Sequence, residues 1–74
     1  MALVDDLADA LARDVLAAQP ELDDDRFYDK VSAAVGALSP TLQEAFMTSV
    51  RLRLAEIRGR RFLEAALQAR RGEG

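Results

Sequence analysis

Histidine and cysteine are both missing from the chain, and proline and tyrosine occur only twice and once in its 74 residues. Without cysteine there is no disulfide and no thiolate metal site. Without histidine the commonest general base and the commonest transition-metal ligand are missing. The aspartates at 23–25 lack the alternating ligands and central glycine of an EF-hand calcium loop. We therefore expect no catalytic, metal or cofactor site, and we expect that the protein is not an enzyme.

Long apolar runs are also missing. No stretch approaches the ~18–20 consecutive apolar residues that a membrane-spanning helix needs. The first residues, MALVDDLADALARD, are acidic and alternate apolar with charged side chains. A signal peptide instead has a basic head followed by an unbroken apolar segment. We expect a cytoplasmic protein without a membrane partner.

The length of the chain suits one domain, residues 1–74. A domain of this size buries only about 60–65% of the surface that its unfolded chain exposes, so its stability is marginal. Disulfides and metal ions often support small domains, but this composition excludes thiol and imidazole ligands. Self-association is then the favoured support, and we therefore expect a homo-oligomer; the alternative is a well-packed helical monomer.

The residues that are abundant favour helices. Half of the chain is apolar, and fourteen of its residues are alanines. Alanine, leucine, arginine and glutamate are the strongest helix formers, whereas the β-branched residues typical of strands are few. Small phage proteins, including inhibitors of host defence and DNA-packaging subunits, resemble the chain in size and general character. By that analogy alone we expect a bacterial or phage protein.

The periodicity of apolar residues predicts two shorter helices in the first half of the chain. In the first, near residues 2–18, apolar residues recur every three or four positions, and Pro20 is expected to end it. The second, near residues 24–38, begins in the aspartate run at 23–25. One of those carboxylates is expected to bind free amide groups of the first turn.

A third and longer helix is predicted near residues 40–71. It opens with Ser39 as the N-cap and Pro40 at the first helical position. No further proline interrupts it, and Gly59 is the one position at which it could bend. Residues 72–74 are expected to form a frayed tail. The predicted fold class is therefore all-α, a three-helix domain with two shorter helices and a long C-terminal helix.

The core is expected where the apolar stripes of the three helices meet. Eight residues are predicted to be mostly buried together: Leu7, Leu11, Phe27, Val31, Leu38, Phe46, Val50 and Leu54.

The third helix carries two apolar faces. The first, from Leu42 to Ile57, is expected to pack against the other two helices, for which one stripe of about 100° is sufficient. The second lies roughly opposite, where Ala55 and Gly59 are small enough to let another helix come close. Two apolar faces on one helix have three possible explanations. Gly59 could break the helix so that the tail folds back, the helix could meet the other two helices on different sides along its length, or the second face could meet another chain. We favour another chain, most simply a second copy. This second face, called the docking face below, consists of Leu52, Ala55, Gly59, Phe62, Leu63, Ala66 and Leu67.

Charge is unevenly distributed along the chain. Residues 1–50 hold ten acidic and three basic side chains, whereas residues 51–71 hold seven arginines and two glutamates. We expect the arginines between positions 51 and 60 to lie near acids of the first two helices or of a neighbouring chain. The same arginines could neutralise phosphates of a nucleic acid, although the whole chain has a net charge of −3. The arginines that would rim the docking face or contact nucleic acid are Arg51, Arg53, Arg58, Arg60, Arg61, Arg70 and Arg71.

These patterns favour a non-enzymatic protein-interaction module. It would act as an adaptor, assembly factor or inhibitor, and it would dock through the apolar, arginine-rimmed C-terminal helix onto a protein partner or a second copy of itself. The alternative is a nucleic-acid-binding accessory protein that uses the arginine-rich helix.

Overall fold

The chain folds as three α-helices. The computed structural model describes residues 2–73, with α1 at Ala2–Leu22, α2 at Phe27–Gly36 and α3 at Pro40–Glu73. No strand is present in the described range. The predicted all-α architecture, with two shorter helices and a long C-terminal one, is confirmed. Part of the tail predicted at 72–74 is helical as far as Glu73, and its last residue lies outside the described range.

The end of α1 differs from the prediction, because the helix continues past Pro20 to Leu22. A proline in the interior of a helix breaks it, because proline has no amide hydrogen to donate to the carbonyl four residues earlier. In the last turn few residues follow, so the helix loses little by this missing hydrogen bond. The backbone then closes with the Asp23 amide donating to the Pro20 carbonyl and the Asp24 amide donating to the Gln19 carbonyl, both at 3.2 Å. Asp23 takes a left-handed φ of 52°. This pair of bonds is a Schellman motif, which ends the helix two residues after the proline.

Helix α2 is shorter at both ends than the predicted span of 24–38. The aspartate run precedes the helix, and the Asp24 carboxylate accepts a hydrogen bond of 3.1 Å from the Arg26 amide. The first turn is also bound from α1, where Gln19 Oε1 accepts the Tyr28 amide at 3.0 Å. The prediction that an aspartate binds an amide of the first turn was therefore wrong, because Asp24 accepts from Arg26, which precedes the helix, and the amide of the first turn is bound by Gln19.

The predicted start of α3 is confirmed. Ser39 Oγ accepts the Leu42 amide at 3.1 Å, and Pro40 is the first helical residue. An N-cap hydroxyl satisfies a donor that has no partner within the helix.

The three helices run up, down and up, so that α1 and α3 are parallel. Val4 and Ala45 line one groove near the start of both helices. Asp9 pairs with Arg53 further along, and Pro20 lies beside Arg58 where α1 ends. Helix α2 returns between them because the connections on either side of it are short.

The core is small and lies between α1 and α3. Phe46 and Val50 are buried, as predicted. Their partners on α1 are Ala8, Ala12 and Val15, and these five residues form one cluster. Alanine at two buried positions lets α1 lie close to α3, which is how the cluster encloses a side chain as large as Phe46.

The predicted core was wrong at Leu7, which is 52% exposed, and at Leu38, which is 94% exposed. Helix α1 turns its alanine side to α3, and this leaves Leu7 on the edge. Leu38 lies two residues beyond Gly36, the last residue of α2, where the chain no longer holds its side chain against α3. The other four predicted core residues are partly buried and pack against the cluster: Leu11, Phe27, Val31 and Leu54.

Helix α3 extends well beyond the other two helices. With 34 residues it is about 51 Å long at 1.5 Å per residue, and the molecule measures 55 Å along its longest axis. Every residue from 55 to 73 is exposed. The last turns of α3 therefore project from the domain without cover from α1 or α2.

Candidate docking surface

The docking face lies open along α3. All seven of its residues are exposed, and the exposed fraction is 66% at Leu52, 79% at Phe62 and 53% at Leu63. Helical geometry places residues at this spacing on one side of the helix. The structure therefore presents the seven residues together and covers none of them with the chain itself.

The change of face along α3 has a direct cause in its sequence. The side that carries Phe46 and Val50 continues, beyond Ile57, with Arg60, Arg61, Glu64 and Gln68. These polar residues begin where α1 ends. From there on the large apolar residues Phe62 and Leu63 lie on the other side, so the projecting part of α3 has a different apolar face from the part that builds the core.

Helix α3 continues through Gly59 without interruption. The explanation in which Gly59 breaks the helix and the tail folds back is therefore wrong. Apart from its chain neighbours and the backbone of its own helical turns, a Cβ added to Gly59 would meet no described atom within 4 Å. No other helix of the same chain approaches Gly59 in the described range, and the expected contact with a helix of another chain stays a prediction.

The close approach between helices occurs at a different glycine, Gly36 at the end of α2. A Cβ added there would overlap the side-chain amide of Gln43 on α3. The Gln43 amide donates a hydrogen bond of 2.9 Å to the Ser32 carbonyl. Gly36 thus leaves room for the side chain that ties α3 to α2.

Two of the arginines of α3 are held by carboxylates. Arg53 donates from Nε to Asp9 Oδ1 at 2.8 Å and from Nη2 to Asp9 Oδ2 at 2.9 Å. This bidentate pair joins α3 to an acid of α1, as expected. Arg60 instead pairs with Glu56 of its own helix at 2.7 Å, so its partner within the chain is not on α1 or α2, and a partner on a neighbouring chain stays a prediction.

The remaining arginines of the rim form no ion pair with any residue from 2 to 73. All of them are exposed. Four of them lie on the projecting half of α3 and leave positive charge available to an outside partner: Arg58, Arg61, Arg70 and Arg71. Arg51 lies further back, near Ser32 of α2 and Gln43 at the start of α3.

The pair between Asp9 and Arg53 also affects proton binding. The hydrogen bond from Arg53 lowers the pKa of the Asp9 carboxyl below its ordinary value, and the charge of Arg53 adds to this effect. The Asp9 hydrogen bond raises the pKa of Arg53. Because the pKa of Asp9 is lowered on folding, its contribution to stability is present above the unfolded value, near 3.9. That contribution is lost as the pH falls through the folded value.

We predict that Arg53→Met raises the pKa of Asp9 toward about 3.9, its ordinary value. The physical reason is the loss of the bidentate hydrogen bond at 2.8 and 2.9 Å. A titration of the side-chain carboxyl carbon by NMR measures this pKa directly. The matched control is Arg51→Met, because Arg51 has no ion pair among the described residues. Equal pKa values for Asp9 in wild type and Arg53→Met would contradict the prediction.

A groove between the first half of α1 and the start of α3 opens beside the docking face. Asp6 and Asp9 line it from α1, and Glu44, Thr48 and Leu52 line it from α3. Leu52 also belongs to the docking face, so the groove leads directly onto the projecting helix. Its acidic character contrasts with the arginines at the other end of α3.

Sequence reasoning missed this groove. A usable signal was present, because Glu44 and Thr48 continue the three- and four-residue spacing of the docking face toward the start of α3. Because both side chains are polar, an analysis of apolar periodicity alone did not include them in the docking face.

The described residues contain no metal-binding cluster. Among residues 2–73 no group of three or more acidic side chains is arranged to hold a metal ion. None of the three helices combines the length and the apolar character that a membrane crossing requires.

The chain matches no protein-family model, no curated protein and no solved structure.

Proposed function

We propose that the protein is a non-enzymatic interaction module that docks through the face of its projecting helix α3. It would act as an adaptor, assembly factor or inhibitor. A cytoplasmic setting in a bacterium or phage belongs to this proposal, supported by the absence of cysteine and by the analogy with small phage proteins.

A single observation carries the proposal. Large apolar side chains lie next to one another and are exposed on the part of α3 that α1 and α2 do not reach. Phe62 is 79% exposed, Leu63 is 53% exposed and Leu67 is 40% exposed. Each gains roughly 1.5–3 kcal/mol from full burial. Contiguous apolar patches of this kind mark interaction sites on proteins that otherwise expose only scattered apolar residues.

The arginine rim fits the same role. Aromatic residues and arginines are the side chains that contribute most to binding at protein interfaces, and both are present here around Phe62. Arg58 and Arg61 form no ion pair within residues 2–73, so they do not have to leave a partner before they bind another protein. Rim charges of this kind select an acidic partner and speed its association more than they add affinity.

Leu63→Asp is the variant that tests the proposal. We expect it to weaken association about 30-fold or more, the effect of removing a residue worth at least 2 kcal/mol at an interface. The readouts are sedimentation velocity over a range of protein concentrations and the amount of partner protein retained on immobilised variants. Helix content, measured by circular dichroism, should stay the same because Leu63 touches no core residue.

Leu38→Asp is the matched control, since Leu38 is 94% exposed but lies between α2 and α3, away from the docking face. It should associate like the wild type. If Leu63→Asp associates as well as Leu38→Asp, the docking face does not mediate binding and the proposal fails.

Nucleic-acid binding is the alternative that the free arginines favour. Five arginines of α3 form no ion pair within the described range, and phosphate contacts would satisfy them. Such binding falls steeply with salt, because each neutralised phosphate releases counterions. Tight binding of duplex DNA at physiological salt, lost in Arg58→Gln with Arg61→Gln and kept in Leu63→Asp, would replace the proposal by this alternative.

A further inference from the structure

The docking face and the acidic groove form one continuous strip along α3. The groove ends at Leu52, which is also the first residue of the docking face. Glu44 and Asp6 make the first half of this strip acidic. Arg70 and Arg71, both exposed and without an ion pair in the described range, make its far end basic. A strip that is acidic at one end and basic at the other complements itself when two copies meet head to tail.

The spacing of the strip supports the same arrangement. Eight residues of the strip follow one another at intervals of 4, 4, 3, 4, 3, 4 and 4 residues, which read the same in both directions: Glu44, Thr48, Leu52, Ala55, Gly59, Phe62, Ala66 and Arg70. Two antiparallel copies that meet at the level of Ile57 therefore place each of these eight residues opposite another of them, and Leu63 and Leu67 lie beside this line. The opposed pairs are Leu52 with Phe62, Ala55 with Gly59, Thr48 with Ala66, and Glu44 with Arg70.

The opposed side chains also fit by size. Ala55 and Gly59 face each other at the centre, where small residues let two helices approach to the short end of the usual 8–10 Å separation. Apart from its chain neighbours and the backbone of its own helical turns, no described atom lies within 4 Å of a Cβ position at Gly59, so this space is free for a second helix. On either side of the centre, Leu52 of one copy meets Phe62 of the other.

We propose that the occupant of the docking face is a second copy of the chain, with the two α3 helices antiparallel and centred at Ile57. This inference rests on the proposed function, because it names the partner of the same face. In the pair, the projecting half of each α3 lies in the acidic groove of the other copy. Each copy thus covers the exposed apolar residues of its partner, and the basic end of α3 meets Glu44 and Asp6.

Cysteine variants test the register, and the chain contains no cysteine of its own. Thr48→Cys and Ala66→Cys are both at exposed positions, so neither should disturb the fold. Mixed under mild oxidation, they should form a disulfide between one Thr48→Cys chain and one Ala66→Cys chain. Each variant alone should stay uncrosslinked, because the two copies of position 48 lie about 27 Å apart along the antiparallel pair. Ala17→Cys, exposed on α1, serves as the control for random collision.

Three results would overturn the inference. They are a wild type that remains monomeric at every concentration, crosslinks between identical positions, and a mixed crosslink no more abundant than with Ala17→Cys. A monomeric wild type whose binding to another protein is lost in Leu63→Asp would remove only the self-docking. If Leu63→Asp changed no association at all, the proposed function would fail as well.

Charge exchange gives a second, independent test. Glu44→Arg alone and Arg70→Glu alone should each weaken self-association at low salt, by up to about fivefold per exposed pair lost. The double variant restores opposite charges across the interface and should associate like the wild type. Additive weakening in the double variant would show that Glu44 does not face Arg70, against the proposed register.

Discussion

Phe46→Ala is expected to cost about 3–5 kcal/mol of unfolding free energy, the range for truncating a buried phenylalanine. Phe46 is fully buried, and among residues 2–73 it is one of only two large side chains that are. A domain of 74 residues has roughly 4–11 kcal/mol of stability in total. We therefore expect a much lower melting temperature and a substantial unfolded fraction at 25 °C, measured by thermal and urea denaturation followed by circular dichroism.

The chain offers a matched control for Phe46→Ala in the same helix. Phe62 is 79% exposed, so Phe62→Ala removes the same atoms without opening a cavity. The melting temperature of Phe62→Ala should stay close to that of the wild type when both are compared at a concentration where they are monomeric. A Phe46→Ala variant that melted like Phe62→Ala would show that the core is not where the structure places it.

Ala12→Leu is expected to destabilise the protein by about 1–3 kcal/mol, the usual cost of adding carbon atoms to a filled core. Ala12 is fully buried in the cluster that contains Phe46 and Val50. A leucine there would push α1 away from α3 and separate the two helices that build the core. The free energy of unfolding in urea measures the effect.

The control for Ala12→Leu is Ala17→Leu, since Ala17 is exposed on the same helix. Leucine and alanine differ little in helix propensity, so this control should change stability by no more than a few tenths of a kcal/mol. If Ala12→Leu were as stable as Ala17→Leu, α1 and α3 would have to be less closely packed than the buried alanines indicate.

The sequence by itself determined the features that depend on neighbouring residues. The helical class followed from composition and periodicity, because helix propensity and amphipathic spacing act within a few residues. The start of α3 followed from Ser39 and Pro40, since an N-cap hydroxyl needs only the amide three residues later. The exposure of the end of α3 followed from the predicted spans alone, because helices near residues 2–18 and 24–38 are too short to cover one near residues 40–71.

The local rule for Pro20 was wrong, because α1 continues through the proline to Leu22. The helix ends at a backbone closure after Leu22, and this closure uses the left-handed conformation of Asp23. Aspartate reaches that conformation more readily than most residues other than glycine. No sequence pattern used in the prediction carried this information.

Only the tertiary structure decided which side of α1 is buried. Leu7 and Ala8 both belong to a broad apolar sector, and periodicity alone favoured the larger side chain. The choice depends on the distance between α1 and α3, and that distance is short because the side chains in contact are alanines. The same reason separates the two glycines. Both Gly36 and Gly59 are glycines within predicted helices. Whether another side chain lies against each of them depends on how the helices pack. Gln43 of α3 lies beside Gly36, and no described side chain lies beside Gly59.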